Sequence, residues 1–189
     1  MITGTPAVGK TAVSRLLASK LDAMHVNLTE LVKQERLTSG IDKVRKTLIA
    51  DTDKVSKRVQ EIIRSSQRDV IIDGHLAVDV APAKDVHVVF VLRRDPDELK
   101  RLMENRGFKG RKLWENLVAE ILDVCLCEAL SACGPDKVCE IDVSGKRVED
   151  IVEDMISVLE GRKKREVGIV DWLGKLETER RLHDFLKHF

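Results

Sequence analysis

Tyrosine is absent from this 189-residue chain, and Phe and Trp together bring the aromatic content to only 3%. A protein that stacks single-stranded bases needs several rings close together. Here Phe90, Phe108, Trp114, Trp172, Phe185 and Phe189 are scattered along the chain, so that class is excluded and the core must be aliphatic. No apolar run approaches the roughly 18 residues of a membrane-crossing helix. An excess of one charge sign is also missing. Lys plus Arg number 33 against 32 Asp plus Glu, a net charge of +1, so bulk charge argues for neither nucleic acid nor a membrane surface. Residues 1–4 carry no basic flank followed by an apolar stretch, so no secretion signal is expected. The cysteines, Cys125, Cys127, Cys133 and Cys139, form no CxxC pair and have no histidine near enough to complete a zinc site. Reduced thiols in a cytoplasmic protein are the expectation.

What remains is an ordinary globular composition, 43% hydrophobic and 34% charged, of a length that suits one domain with a short appendage. Apolar periodicity alternates between two kinds. A very short strand at 1–3 precedes a Gly-rich turn, and Val13, Leu16, Leu17 and Leu21 then follow at helical spacing. Residues 23–28 read as a strand and 30–36 as a polar helix, broken at Thr38-Ser39-Gly40. A third helix starts near Asp53 as its N-cap, with Val55, Val59, Ile62 and Ile63 as its stripe. The unbroken runs 70–72 and 86–92 suit parallel strands buried on both faces. A helix over 96–105, a basic break at 107–111, one long helix through Leu113 and Leu130, a strand at 138–143 and an amphipathic helix at 148–159 complete the alternation. Strands alternating with helices imply an α/β fold with a parallel sheet. Beyond Gly161 a basic run, 162–165, leads into a segment with one or two short helices.

Gly4-Thr5-Pro6-Ala7-Val8-Gly9-Lys10-Thr11 matches G-x-x-x-x-G-K-[ST] in full, with a strand before it and an amphipathic helix after it. The chemistry needs these residue types. Gly4 and Gly9 let the backbone bend around an anion so that successive N–H groups point inward. The helix opening at Lys10 adds the positive end of its dipole. Lys10 supplies a cation that can follow a transferring phosphoryl group, and the Thr11 hydroxyl is placed to ligate magnesium. The loop therefore binds the polyphosphate of a nucleotide, without saying which base or which acceptor.

Asp73-Gly74-His75 ends the run 70–72. A carboxylate there lies beside the phosphate loop if its strand neighbours the first, and can hold magnesium through water. Read alone, His75 is more simply a structural residue than a catalytic one. The basic stretch from Arg106 to Lys112 is either a solvated turn or a loop that closes over phosphates. Arg93 and Arg94, at a strand's end, suit a phosphate contact and a surface salt bridge equally well.

Taken together, GTPAVGKT at 4–11, HVNLTELVKQERL at 25–37, VIIDGH at 70–75, HVVFVLRRDPDELKRLMENRGFKGRKLWENLVAEI at 87–121 and DWLGKLETERRLHDFLKHF at 171–189 resemble the small, nuclear-type adenylate kinases shared by archaea and eukaryotes, which also act in small ribosomal subunit maturation. The resemblance spans nearly the whole chain. It implies a P-loop nucleoside-monophosphate (NMP) kinase fold with a parallel five-stranded sheet flanked by helices. The core would occupy 1–160, with an NMP-binding segment at about 29–50 and a lid at about 106–115; 161–189 would be a C-terminal helical tail. Carried over residue by residue, Lys10, Asp73, His75 and Arg106 would be catalytic. Ala7, Gly9, Lys10, Thr11, Ala12 and Arg106 would contact ATP, and Thr11 and, through water, Asp73 would hold Mg2+. AMP would be the acceptor, with ATPase activity beside it. The implied partners are a small-subunit platform ribosomal protein and pre-ribosomal RNA. This sequence departs from the family at position 7, where Ala replaces the usual Gly; an L-residue with negative φ is expected there. An ATPase assembly factor with little kinase activity, or another small-molecule kinase of the shikimate or gluconate type, are the alternative readings.

Overall fold

The computed structural model describes residues 1–42 and 47–187. Residues 43–46 of the expected NMP segment and 188–189 of the tail therefore lie outside the described residues. Five parallel strands form one sheet: β1 (Ile2–Gly4), β2 (Met24–Asn27), β5 (Val70–Asp73), β6 (Val89–Arg93) and β7 (Val138–Asp142), in the order β2-β5-β1-β6-β7. The crossovers are carried by helices. These are α1 (Lys10–Leu21), α2 (Leu28–Gln34), α3 (Thr52–Ser65), α4 (Ala77–Val80), α5 (Pro96–Asn105), α6 (Gly110–Ile121), α7 (Val124–Cys133), α8 (Val148–Leu159), α9 (Trp172–Thr178) and α10 (Leu182–Leu186). Between α2 and α3 a hairpin stands apart from the sheet, made of β3 (Thr38–Asp42) and β4 (Thr47–Ala50).

β6 explains the two-sided burial. Phe90 and Leu92 belong to the core under α1, α5, α6 and α8, whereas Val89 and Val91 pack with Val55, Val59, Val78 and Leu126 on the other side. Alternate side chains leave opposite faces of a strand, so a strand covered on both sides must be apolar throughout. Central β1 is short but fully buried, and it is flanked by β5 and β6. The loop after it therefore opens at the carboxyl edge of the sheet, between crossovers that leave on either side, where α/β proteins bind ligands.

Three local expectations differ from the structure. The helix expected to run through 113–130 is two helices, because Asp123 turns left-handed (φ 57°) and redirects α7. The N-cap of α3 is Asp51, whose carboxylate accepts from the Lys54 amide, rather than Asp53. The C-terminal segment is helical only from Trp172. Before that it is irregular and runs beside β7, where the Glu140 amide donates to Glu166 O at 2.8 Å. Trp172, Leu176 and Phe185 are all buried in the main core, so this segment completes the domain. Lys175 reaches Asp95 at 2.6 Å and Arg181 reaches Asp97 at 2.7 Å, tying it to the start of α5. Among the described residues, no helix is long and apolar enough to cross a membrane.

Candidate nucleotide site

The site begins with backbone conformations that only some residues tolerate. Gly4 has φ +136°, and a Cβ there would lie 2.5 Å from Leu92 O on the neighbouring strand; Gly9, the N-cap of α1, has φ +118°. Ala7 corrects the expectation of a negative φ. It sits at φ 69°, in the left-handed region, where an L-residue carries a strain of about 1–2 kcal/mol. Alanine is among the smaller side chains that can still occupy it. The loop carbonyls meanwhile hold the lysine: Lys10 Nζ donates to Gly4 O at 2.6 Å and to Thr5 O at 3.0 Å. Burial lowers its pKa to about 8; Cys125, Asp73 and Glu120 oppose that, and the nearby Arg106 charge adds to it.

Asp73 ends β5 fully buried, in register with Asn27 at the end of β2. Asn27 Nδ2 donates to Asp73 Oδ1 at 2.6 Å and to the Thr11 hydroxyl at 3.1 Å, while its Oδ1 caps α2 through the Glu30 amide at 2.9 Å. One amide thus joins the two expected metal-binding groups to the start of the NMP segment. The second Asp73 oxygen, Oδ2, is buried with no hydrogen-bond partner among the described residues, 3.5 Å from His25 Nε2. A buried carboxylate oxygen without a hydrogen bond fits a role toward a cation or its water. Magnesium keeps several waters and takes only one or two protein oxygens beside phosphates, so a hydroxyl and one carboxylate suit it.

A cleft of about 1040 Å³ gathers the sequence candidates. Ala7, Gly9, Lys10, Thr11, Ala12, Asp73, His75 and Arg106 all line it. His75 is solvent-exposed on its wall, and its pKa lies below the ordinary 6.5, chiefly because the surrounding protein penalises the charged form and secondarily because Lys10 is positive. Arg106 is the C-cap of α5, just before Gly107 (φ 81°). Beyond it Lys112 Nζ lies 5.0 Å from the Phe108 ring centroid, and Arg111 pairs with Glu115 at 2.7 Å. Leu28, Val32, Leu48, Ala50 and Val55 line the same cleft as a mainly apolar set, with Thr29 and Lys33 among them.

The arginine pair fits neither of its two expected roles in full. Arg93 is 1% exposed and lies inside the protein, bonded to Glu120 at 2.9 Å, to Glu140 at 2.6 Å and to Asp123. Arg94 braces the phosphate loop instead, donating through Nε to Val8 O at 3.1 Å and pairing with Glu98. Burial pushes the Cys125 thiol up to about 11, and no disulfide joins the four cysteines. In the basic run, Arg162 pairs with Glu160 and Lys163 with Asp154, so part of that charge is neutralised locally. Asn27 and Glu120 leave only a faint sign in the sequence. Asn27 opens an N-x-x-E capping pattern, and Glu120 lies three residues after Leu117 on the apolar face of α6.

A glycine-bent loop at the carboxyl edge of a parallel sheet, followed by a lysine-led helix, defines a P-loop phosphate-binding protein. A family model described as "AAA domain" matches residues 1–123. Proteins named "Putative adenylate kinase" are similar over nearly their whole length. That of Methanocaldococcus jannaschii is 38% identical over 174 residues, covering 92% of each chain, and that of Methanosarcina barkeri is 38% identical over 181 residues, covering 91% of this chain and 96% of the relative. Among solved structures, a gluconokinase from Sinorhizobium meliloti superposes with a TM-score of 0.57 at 14% identity, covering 85% of this chain and 90% of its own. A shikimate kinase from Bacteroides thetaiotaomicron does so with 0.52 at 16%, covering 84% and 96%. At such identities the structures establish the P-loop kinase fold alone. The chain belongs to the adenylate-kinase-like family of these archaeal relatives.

Proposed function

We propose that this protein is a nucleotide kinase that transfers the terminal phosphoryl group of ATP to AMP. The observation that carries the reading is the convergence of the phosphate loop, Lys10, the Asn27–Asp73 pair and Arg106 on one cleft that is also lined by the mainly apolar set on α2, β4 and α3. The relatives' name points to the same acceptor. In the reaction an oxygen of the AMP phosphate attacks the γ-phosphorus, the bond from that phosphorus to the β–γ bridging oxygen breaks, and ADP leaves as a second ADP forms. The nucleophile is already an anionic oxygen, so no dedicated base is needed. The work is positioning, charge neutralisation and exclusion of water. The loop amides and Lys10 hold the β- and γ-phosphates, and Lys10 follows the migrating group. Arg106, at the start of the lid, neutralises charge from the opposite side, and residues 106–115 shut out water. Thr11 and, through water, Asp73 would hold Mg2+, which when bound neutralises charge on the β- and γ-oxygens. Asn27 keeps both residues oriented. The mainly apolar set on α2, β4 and α3 receives the acceptor nucleoside. In a coupled assay with each monophosphate in turn, AMP should be the preferred acceptor and Lys10→Ala should lose activity by about 10²–10³-fold. Turnover unchanged by that substitution overturns the proposal.

A second activity, ATP hydrolysis, is favoured by His75. It stands exposed on the cleft wall with its neutral form stabilised, so it can accept a proton from an attacking water. In this reading a small-subunit platform ribosomal protein docks beside the NMP segment, where Ile41, Leu48 and Ile49 are exposed, within reach of pre-ribosomal RNA. Hydrolysis measured with and without that protein tests it, and a His75→Ala variant with undiminished hydrolysis contradicts it.

A further inference from the structure

We infer that Glu120 is a positioning residue that latches the phosphate loop to the lid-bearing helix α6 through the Thr5 hydroxyl. Glu120 is 1% exposed, and every approach to its carboxylate is structured. Oε2 accepts from Thr5 Oγ1 at 2.5 Å. Oε1 accepts from Arg93 Nε at 2.9 Å, from the Arg94 amide at 3.0 Å and from Trp172 Nε1 at 3.3 Å. Arg93 also donates to the Glu120 carbonyl at 2.8 Å, so both the side chain and the backbone of this turn are fixed. A carboxylate placed among apolar neighbours costs several kcal/mol unless fully bonded. Of these bonds, the one to Thr5 joins α6 to the loop.

Thr5 is one of the two residues whose carbonyls hold the lysine. Its carbonyl accepts from Lys10 Nζ and from the Val8 amide at 3.3 Å, so its peptide sets the first turn of the loop. When Lys10 turns toward a phosphate it releases Gly4 O and Thr5 O, and the loop loses two of its internal ties as it must hold its shape. The Thr5–Glu120 bond does not involve Lys10 and persists. Glu120 also sits near the C-terminal end of α6, while Arg111, Lys112 and Glu115 lie toward the opposite end, at the lid. The helix that brings the lid is thus pinned to the loop that holds the phosphates. This inference rests on the reading that the loop binds ATP.

The test is calorimetric titration of Mg-ATP into the full-length protein and its Thr5→Ser, Thr5→Val, Glu120→Gln and Thr5→Val/Glu120→Gln variants. Without the latch the free loop can leave its binding shape, so Thr5→Val should weaken binding by up to about tenfold through lost pre-organisation, whereas Thr5→Ser keeps the donor and should stay within about twofold of the parent. Glu120→Gln retains an oxygen for Arg93 but loses the charge facing Thr5, so a weakening of about fivefold is expected. The double variant should be no weaker than about tenfold, because both changes remove one bond. A role in stability alone would lower the melting temperature and leave these affinities unmoved. Wild-type affinity in Thr5→Val, equal losses in Thr5→Ser and Thr5→Val, or losses that multiply in the double variant each overturn the inference. If Glu120→Gln does not fold, the serine–valine comparison decides it. Absence of binding by the parent protein overturns both this and the nucleotide reading, whereas binding that is insensitive to Thr5→Val overturns this one alone.

Discussion

Replacing Arg93 with methionine removes the single guanidinium that serves Glu120, Glu140 and Asp123. The two glutamates are almost wholly buried, with side-chain exposures of 1% and 0%, whereas Asp123 is 38% exposed and can turn to water. Methionine fills similar space, so the packing loss is small and the cost is electrostatic. The carboxylates of Glu120 and Glu140 keep their bonds to Thr5, the Arg94 amide, Trp172 and the Ile169 amide, but lose the arginine that bonds both. Breaking a buried ion pair on one side costs about 3–5 kcal/mol. At about 2–4 °C per kcal/mol for a domain of this size, the melting temperature should fall by about 6–20 °C. Adding Glu120→Gln and Glu140→Gln to Arg93→Met neutralises what was stranded and should recover at least half of the loss. Scanning calorimetry on the three proteins measures this. A fall of less than about 2 °C in Arg93→Met, or no recovery in the triple variant, refutes the reasoning.

Three further outcomes are expected. With its pKa at about 8, Lys10 is half deprotonated at pH 8 in the free protein, and a triphosphate beside it favours the charged form. Binding of Mg-ATP at pH 8 should therefore take up about half a proton, and almost none at pH 6.5, as read from calorimetric heats in buffers of different ionisation enthalpy; equal uptake in Lys10→Met would contradict this. The depressed His75 pKa keeps the neutral ring down to pH values below 6.5, so hydrolysis should be flat through neutrality and fall only on the acid side. The same sign means that any stability from His75 is present above 6.5 and lost as the pH falls, and His75→Ala should abolish the acid limb of the rate profile. Deleting residues 171–189 removes Trp172, Leu176 and Phe185 from the core, at about 1.5–3 kcal/mol for each. That sum rivals the whole stability of a typical domain, so the shortened chain should give no cooperative unfolding transition by circular dichroism.

The parts of this protein that are legible in the sequence are those in which local chemistry and long-range position coincide. The phosphate loop is one, because the bends at Gly4 and Gly9, the helix start and Lys10 are all sequential. The runs 70–72 and 86–92 are another, since burial on both faces leaves an apolar signature. Arg93 is ambiguous in the sequence because a strand's last residue looks exposed until the helices that cap it are known; the meeting of α6, β7 and the C-terminal segment puts it inside. Asn27 and Asp73 are 46 positions apart, and their pairing depends on the register of β2 with β5, which periodicity does not encode. The strands at 38–42 and 47–50 are legible only as a break, because Thr38, Ser39 and Gly40 signal turns and the strands carry little alternation to separate a buried face from an exposed one. The break at Asp123 was hidden for the opposite reason: apolar residues continue at helical spacing across a left-handed residue that resets the direction.

The most direct single measurement is a phosphorus NMR time course of the purified protein with magnesium, ATP and AMP, run beside controls that omit AMP or carry Lys10→Ala. Transfer to AMP should convert one ATP and one AMP into two ADP, with no comparable ADP in either control. ADP accumulating at the same rate without AMP, with free phosphate released in step, would contradict phosphoryl transfer to a nucleotide and leave hydrolysis as the chemistry of this cleft.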